Sequence, residues 1–185
     1  MFHSAMGLTP GVISFADQLR AAGHTVHTPD YYDGQVFGNL IDGIAYRDEL
    51  GIAEIAQRGV AAAQELPAEL VYAGFSLGCG PAQLLAQTRP GAVGALLMHG
   101  CLPAGVFDVP WPTGLPLAVH VAEKDQWADI PTARALTSTS DGELFLYPGD
   151  SHLFADPGIP DFEPESAALM TTRILTWLAA RDGRN

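Results

Sequence analysis

The chain has 185 residues, 48% hydrophobic and 16% charged, which suits one globular domain spanning 1–185 and excludes a disordered chain. Nine Lys and Arg stand against 21 Asp and Glu, a net charge of −12, which argues against nucleic acid and anionic membranes as partners, because both attract basic surfaces. Cys79 and Cys101 form neither a disulfide framework nor a metal spacing and suit a reducing cytoplasm, and the chain shows neither an apolar run of about 18 residues nor a basic-then-apolar leader.

Short apolar runs alternate with helical patterns along the chain, the signature of a parallel sheet with crossover helices. Only Met1–Met6 precede Gly7, so any first strand is a stub. A first helix follows, with Thr9 as N-cap, Pro10 in its first turn, Val12, Phe15, Ala16 and Leu19 on one face, and Gly23 placed to end it in a left-handed conformation. His24–Thr28 reads as a strand stopped by Pro29, and 29–41 as a long loop. Residues 44–66 read as helix, interrupted near Gly51. Leu70–Phe75 is a buried strand, Leu77–Thr88 a helix and Val93–Met98 a second buried strand. The span 99–115 holds three prolines and three glycines and reads as loop. Leu117–Ala122 is a strand, Ile130–Ser138 a helix capped by Asp129, and Glu143–Tyr147 a strand. After a loop, Glu165–Ala180 is an amphipathic helix expected to turn Ala168, Leu169, Ile174, Leu175 and Leu178 inward. The sum is an open, mostly parallel sheet with helices on both faces, the α/β-hydrolase arrangement, with no insertion after Met98 large enough for a lid domain. In such sheets ligands bind beyond the carboxyl ends of the strands, so catalytic groups belong just after strands.

Gly74-Phe75-Ser76-Leu77-Gly78 meets that condition and matches the G-x-S-x-G nucleophile elbow, with a strand before it and a helix after it. The turn is sharp, so side chains at 74 and 78 would strike neighbouring backbone, and the amide of Leu77 lies at a helix N-terminus, where it can hold developing negative charge. A serine hydroxyl needs a base. His152 follows the last strand and fits the chain order Ser, acid, His. His99 precedes the acid, and His120 sits within a strand pattern and suits the core. Asp125, after the strand 117–122, is the acid that would orient the imidazole. Its competitors are Glu123, close to the strand end, Asp129, already a helix cap, and Asp108 after the preceding strand. The loop aromatics Tyr31, Tyr32, Trp111, Trp127 and Phe154, with Phe75 of the elbow, are expected to line an apolar pocket.

With these residues in place the chain resembles the dienelactone hydrolase family. His3-Ser4-Ala5-Met6-Gly7-Leu8-Thr9-Pro10 is similar to its oxyanion loop and following helix start, Phe15-Ala16-Asp17 and Ala22–Val26 with Pro29-Asp30 to the next helix and strand, Gly74–Gly80 to its elbow, and Lys124-Asp125 and Tyr147–Phe154 to its acid and base loops. The resemblance implies a hydrolase of small-molecule esters or lactones, without metal or organic cofactor, and assigns the second oxyanion amide to Ala5. The family's namesake carries cysteine where Ser76 stands, glutamate in the oxyanion loop where Ser4 stands, and, after the histidine, an arginine that grips a substrate carboxylate. Asp156 occupies that last region, which predicts a neutral substrate. A catalytically silent binding protein, or an acyltransferase or thioesterase with the same three residues, are the alternatives. A nucleotide-binding reading lacks its glycine-rich phosphate loop.

Overall fold

A computed structural model describes residues 1–182. Its centre is a parallel sheet of four strands in the order β1 (Val71–Phe75), β2 (Gly94–Met98), β3 (Leu117–Ala122) and β4 (Glu143–Tyr147). Around it lie α1 (Pro10–Ala21), α2 (Leu40–Leu50), α3 (Ile52–Gln64), α4 (Cys79–Thr88), α5 (Ile130–Ser140) and α6 (Pro164–Asp182), with a 3₁₀ turn at Ser76–Gly78 joining β1 to α4.

Strand residues alternate between two apolar layers, as the two-residue period of a strand requires. Tyr72, Ala95, Leu97, Leu117, Val119 and Val121 pack with α3, α4 and α5 on one face. Ala73, Phe75, Leu96, Met98, Ala118 and Ala122 pack with α1 and α6 on the other. Gln83 and Gln87, buried on α4, bond the backbone of Leu102, Ala104 and Val109, fastening the loop after β2 to the helix.

The expected caps form. Thr9 Oγ1 accepts from the Val12 N–H, Asp129 accepts from Thr132 N–H, and Gly23 has a φ of 100°. Gly51, with a φ of 82°, separates α2 from α3. Helix α2 begins four residues before the expected start, because the Asn39 side chain accepts from the Asp42 N–H and caps it. Residues 24–28 do not form the expected strand. The Met1 nitrogen donates to the His27 carbonyl, and the stub at 1–4 pairs with β1 by a single parallel bridge, Phe2 with Gly74. Arg20 instead bonds the Val26 carbonyl. The inner face of α6 is also displaced. Ala167, Met170, Ile174 and Trp177 are buried, Leu175 and Leu178 flank them, and Ala168 and Leu169 face outward. The indole, which fills the space above Gly94, sets the helix rotation.

His120 lies in the core as expected, bonded through Nδ1 to the Tyr147 hydroxyl at 2.8 Å and stacked on Phe145. Burial lowers its pKa to about 3, with the Arg173 charge adding to the effect.

Two measurements check this packing. Ile174→Ala should cost about 2–5 kcal/mol in urea denaturation, whereas Leu169→Ala should stay within about 0.5 kcal/mol. The folded chain keeps His120 neutral, while the unfolded chain protonates it below about 6.5. Its stabilising contribution is therefore complete above that pH and declines from there toward about 3. In His120→Gln, which cannot take up that proton, the fall of Tm on acidification should be shallower than in the parent.

Candidate active site

Ser76 follows β1, Asp125 follows β3 and His152 follows β4, so all three stand at the carboxyl rim of the sheet. Their side chains form one chain of hydrogen bonds, with Ser76 Oγ 2.7 Å from His152 Nε2 and His152 Nδ1 2.7 Å from Asp125 Oδ2. The second oxygen of Asp125 accepts from the Trp127 N–H at 2.8 Å. Asp125 and His152 are buried, and Ser76 is half-buried. A carboxylate held at Nδ1 fixes the tautomer that leaves Nε2 free to accept from the serine hydroxyl.

The elbow geometry has the steric cause read from the sequence. A β-carbon at Gly74 would lie 2.2 Å from the Gly78 carbonyl oxygen, and one at Gly78 would lie 2.5 and 2.6 Å from the carbonyl oxygens of Phe2 and His3. Ser76 itself has a φ of 52°, the left-handed region that L residues rarely occupy. Leu77 is the second residue of the 3₁₀ turn, so its N–H lacks the partner an interior helical amide has.

The stub brings the Ser4–Gly7 loop beside this turn. Phe2 N–H donates to the Ala73 carbonyl at 2.8 Å, and Phe75 N–H donates to the Phe2 carbonyl at 3.0 Å. His3 is stacked on Tyr31 at 3.9 Å, with its Nδ1 2.8 Å from the Ser4 carbonyl oxygen, and burial lowers its pKa. The Met6 and Gly7 amides donate to Ser4 Oγ and to the Ser4 carbonyl. Helix α2 presses on the loop from outside, since a β-carbon at Gly43 would lie 2.2 Å from the Ala5 carbonyl oxygen. Within this braced loop the Ala5 N–H has no hydrogen-bond partner among the described residues. The loop itself was legible in the sequence. The stacking of Tyr31 and the close approach at Gly43 were not, because both join residues far apart in the chain.

The expected pocket aromatics do not act together. Trp127 stands at the site, exposed, with its ring 6.2 Å from that of His152. Phe75 and Phe154 are fully buried and sandwich His99 at 5.0 and 4.6 Å. They support the rim and leave no open wall. Tyr32 is enclosed among His3, Tyr31 and Tyr46, and Trp111 bonds the Leu115 carbonyl and packs on the opposite core layer. His99, at the end of β2 with a φ of 65°, is buried beside His152, and burial and its histidine neighbours hold its pKa well below the usual value. Cys79, three residues past Ser76, is buried with its thiol pKa pushed up, and burial pushes Cys101 to about 12.

Asp156 overturns one expectation. It does not face the cleft. It is buried, accepts from Thr9 Oγ1–H at 2.7 Å and from Gly158 N–H at 2.9 Å, and closes on Gly11 at the start of α1. A carboxylate is favoured at a helix N-terminus, so this one ties the base loop to α1, and its charge gives no ground for a neutral substrate. Among the described residues no group of three or more His, Cys, Asp or Glu is placed to hold a metal ion, and no helix is long and apolar enough to cross a membrane.

A parallel sheet with helices on both faces, and a Ser–His–Asp chain of hydrogen bonds at its carboxyl rim, has the architecture of the α/β-hydrolases. The chain belongs to the dienelactone hydrolase family, whose model matches residues 1–181, and is a hydrolase. Among solved structures, a dienelactone hydrolase-like promiscuous phosphotriesterase from metagenomic libraries superposes with a TM-score of 0.74 at 22% identity, over 97% of this chain and 84% of that one. Mouse alpha/beta hydrolase domain-containing protein 10 superposes with a TM-score of 0.70 at 11% identity, over 97% and 89%. At these identities the likeness speaks for the fold alone. No curated protein sequence matches the chain.

If the elbow is as tight as the distances require, Gly78→Ala should lower unfolding stability by about 1–3 kcal/mol, the usual cost of overpacking. Gly105→Ala, at a position with open space around it, should be close to neutral in the same urea titration.

Proposed function

We propose that the protein cleaves carboxylic esters or lactones of small molecules through an acyl-enzyme on Ser76. The observation that carries this reading is the unbroken chain Ser76–His152–Asp125, both links 2.7 Å. His152 takes the Ser76 proton as the hydroxyl oxygen attacks the substrate carbonyl, and Asp125 steadies the imidazolium that forms. The amides of Leu77 and Ala5 receive the oxyanion, one at a helix N-terminus and one in a loop braced by His3, Ser4 and Gly43. His152 then protonates the departing alkoxide. Water attacks the acyl-serine with the same base, releasing the acid and restoring the serine. For a lactone the alcohol and acid remain in one product.

Trp127 offers the substrate an exposed aromatic surface next to the base. A thioesterase or acyltransferase would use the same three residues and differ in the leaving group or the attacking nucleophile. A silent binding protein would have no use for an ordered three-residue relay.

The test is a panel of p-nitrophenyl esters, lactones and thioesters, with phosphotriesters added because the metagenomic relative is described as a promiscuous phosphotriesterase. Ser76→Ala and His152→Ala should each lower kcat/KM on the preferred carboxylic ester by about 1,000-fold or more, since members of such a relay act as a unit. A fluorophosphonate probe should label Ser76, as read by peptide mass spectrometry. Equal turnover by parent and Ser76→Ala would remove the serine mechanism.

A further inference from the structure

Of the three tryptophans, Trp177 is buried on α6, Trp111 is half-buried and donates to the Leu115 carbonyl, and Trp127 stands 57% exposed. A lone apolar side chain at a protein surface calls for no function by itself. This one differs in where it stands and how it is held. Its ring lies 6.2 Å from that of His152, tilted by 43°. Its backbone N–H donates to Asp125 Oδ1, the oxygen that His152 does not use, and two residues further on Asp129 caps α5 by accepting from the Thr132 N–H. Ala128 and Ile130 pack on the same core layer as Cys101 and Ala104 of the loop after β2. The indole is therefore presented to solvent from a segment anchored on both sides, beside the base and on the same carboxylate that orients it.

Acyl transfer assigns directions around Ser76. Attack on an ester carbonyl gives a carbon bearing the Ser76 oxygen, the oxyanion, the alcohol oxygen and the acyl chain. The oxyanion belongs to the Leu77 and Ala5 amides. The alcohol oxygen must come within hydrogen-bond reach of His152 Nε2, because its bond to carbon breaks as that nitrogen hands over the proton. The rest of the alcohol therefore leaves the reacting carbon on the His152 side, and the acyl chain takes the remaining direction. His99, 6.3 Å from His152, is fully buried between Phe75 and Phe154 and offers no surface there. Trp127 does.

We infer that Trp127 is the specificity-determining surface for the alcohol half of the substrate, and that the preferred substrates are esters of alcohols carrying a flat apolar group, aryl or arylalkyl. An indole meets such a ring by offset stacking or edge contact. The assignment rests on Ser76 as nucleophile and has a kinetic consequence. Once the alcohol has departed, the acyl-enzyme no longer contains the part that Trp127 holds, so Trp127 acts on acylation and leaves the attack of water unchanged.

The test compares 2-phenylethyl butyrate with ethyl butyrate, which share an acyl group and have alcohols of similar basicity, so that the ratio of their kcat/KM values, read as butyrate release at constant pH, isolates the phenyl ring. The parent should favour the phenylethyl ester by about tenfold or more. Trp127→Ala should bring the ratio close to one, and Trp127→Phe should keep most of it. In Trp127→Ala the hydrolysis rate of the butyryl-enzyme and the preference between ethyl butyrate and ethyl hexanoate should match the parent. Three outcomes would overturn the assignment: no preference for the phenylethyl ester in the parent; an equal loss on both butyrates in Trp127→Ala, which would make Trp127 a support for Asp125 only; or an altered ethyl butyrate to ethyl hexanoate ratio with the phenylethyl preference kept, which would place Trp127 on the acyl side. Failure of the serine reading itself would appear differently, as equal turnover of ethyl butyrate by parent and Ser76→Ala, and would take this assignment with it.

Discussion

The carboxyl rim of the sheet at Ser76 depends on one steric constraint, the absence of room for a β-carbon at Gly74 and Gly78. The chain reverses from β1 into α4 within the 3₁₀ turn Ser76–Gly78, and the Phe2 and His3 carbonyls lie against the outside of that turn. The turn and the stub therefore pack as one body. Such packing sustains the left-handed backbone of Ser76, a conformation that costs an L residue roughly 1–2 kcal/mol and persists only when its surroundings over-determine it. It also fixes the Ser4–Gly7 loop relative to the serine, because Phe2 is bonded to β1 on either side of Gly74.

Asp125 and His152 come to this body from the far half of the sheet, and backbone bonds set their spacing. Glu123 N–H donates to the Tyr147 carbonyl at 2.8 Å and Lys124 N–H to the Gly149 carbonyl at 3.0 Å, so the loops bearing Asp125 and His152 are laced together beyond the ends of β3 and β4. Asp156 then ties the base loop to the start of α1. Under the rim, Phe75, His99 and Phe154 fill the volume without a charge, since burial keeps His99 neutral. A neutral neighbour matters here, because the proposed cycle places a positive charge on His152, and a second imidazolium at 6.3 Å would oppose it.

Asp156 also shows how a charge read from sequence can mislead. Its place shortly after the histidine suggested a carboxylate facing the substrate. Its carboxylate instead accepts from Thr9, 147 residues earlier by position (156 − 9), and lies against Gly11, with Gly158 its one local donor. The same holds for the aromatics. Six were expected at one pocket, and only Trp127 stands exposed beside His152, because aromatic side chains serve burial as readily as binding.

The sequence by itself determined the alternation of strands and helices, the caps at Thr9 and Asp129, the elbow glycines, and Ser76, Asp125 and His152 as the residues to bring together. Each of these is dictated by local patterning, a turn with no space for a side chain, or position just after a strand. Tertiary structure alone decided which face of α6 is buried, set by the Trp177 indole over Gly94. It gave 24–28 no strand ladder, and it turned Asp156 into a tether. Those outcomes depend on what packs against a segment from elsewhere in the chain, and no local pattern carries that information.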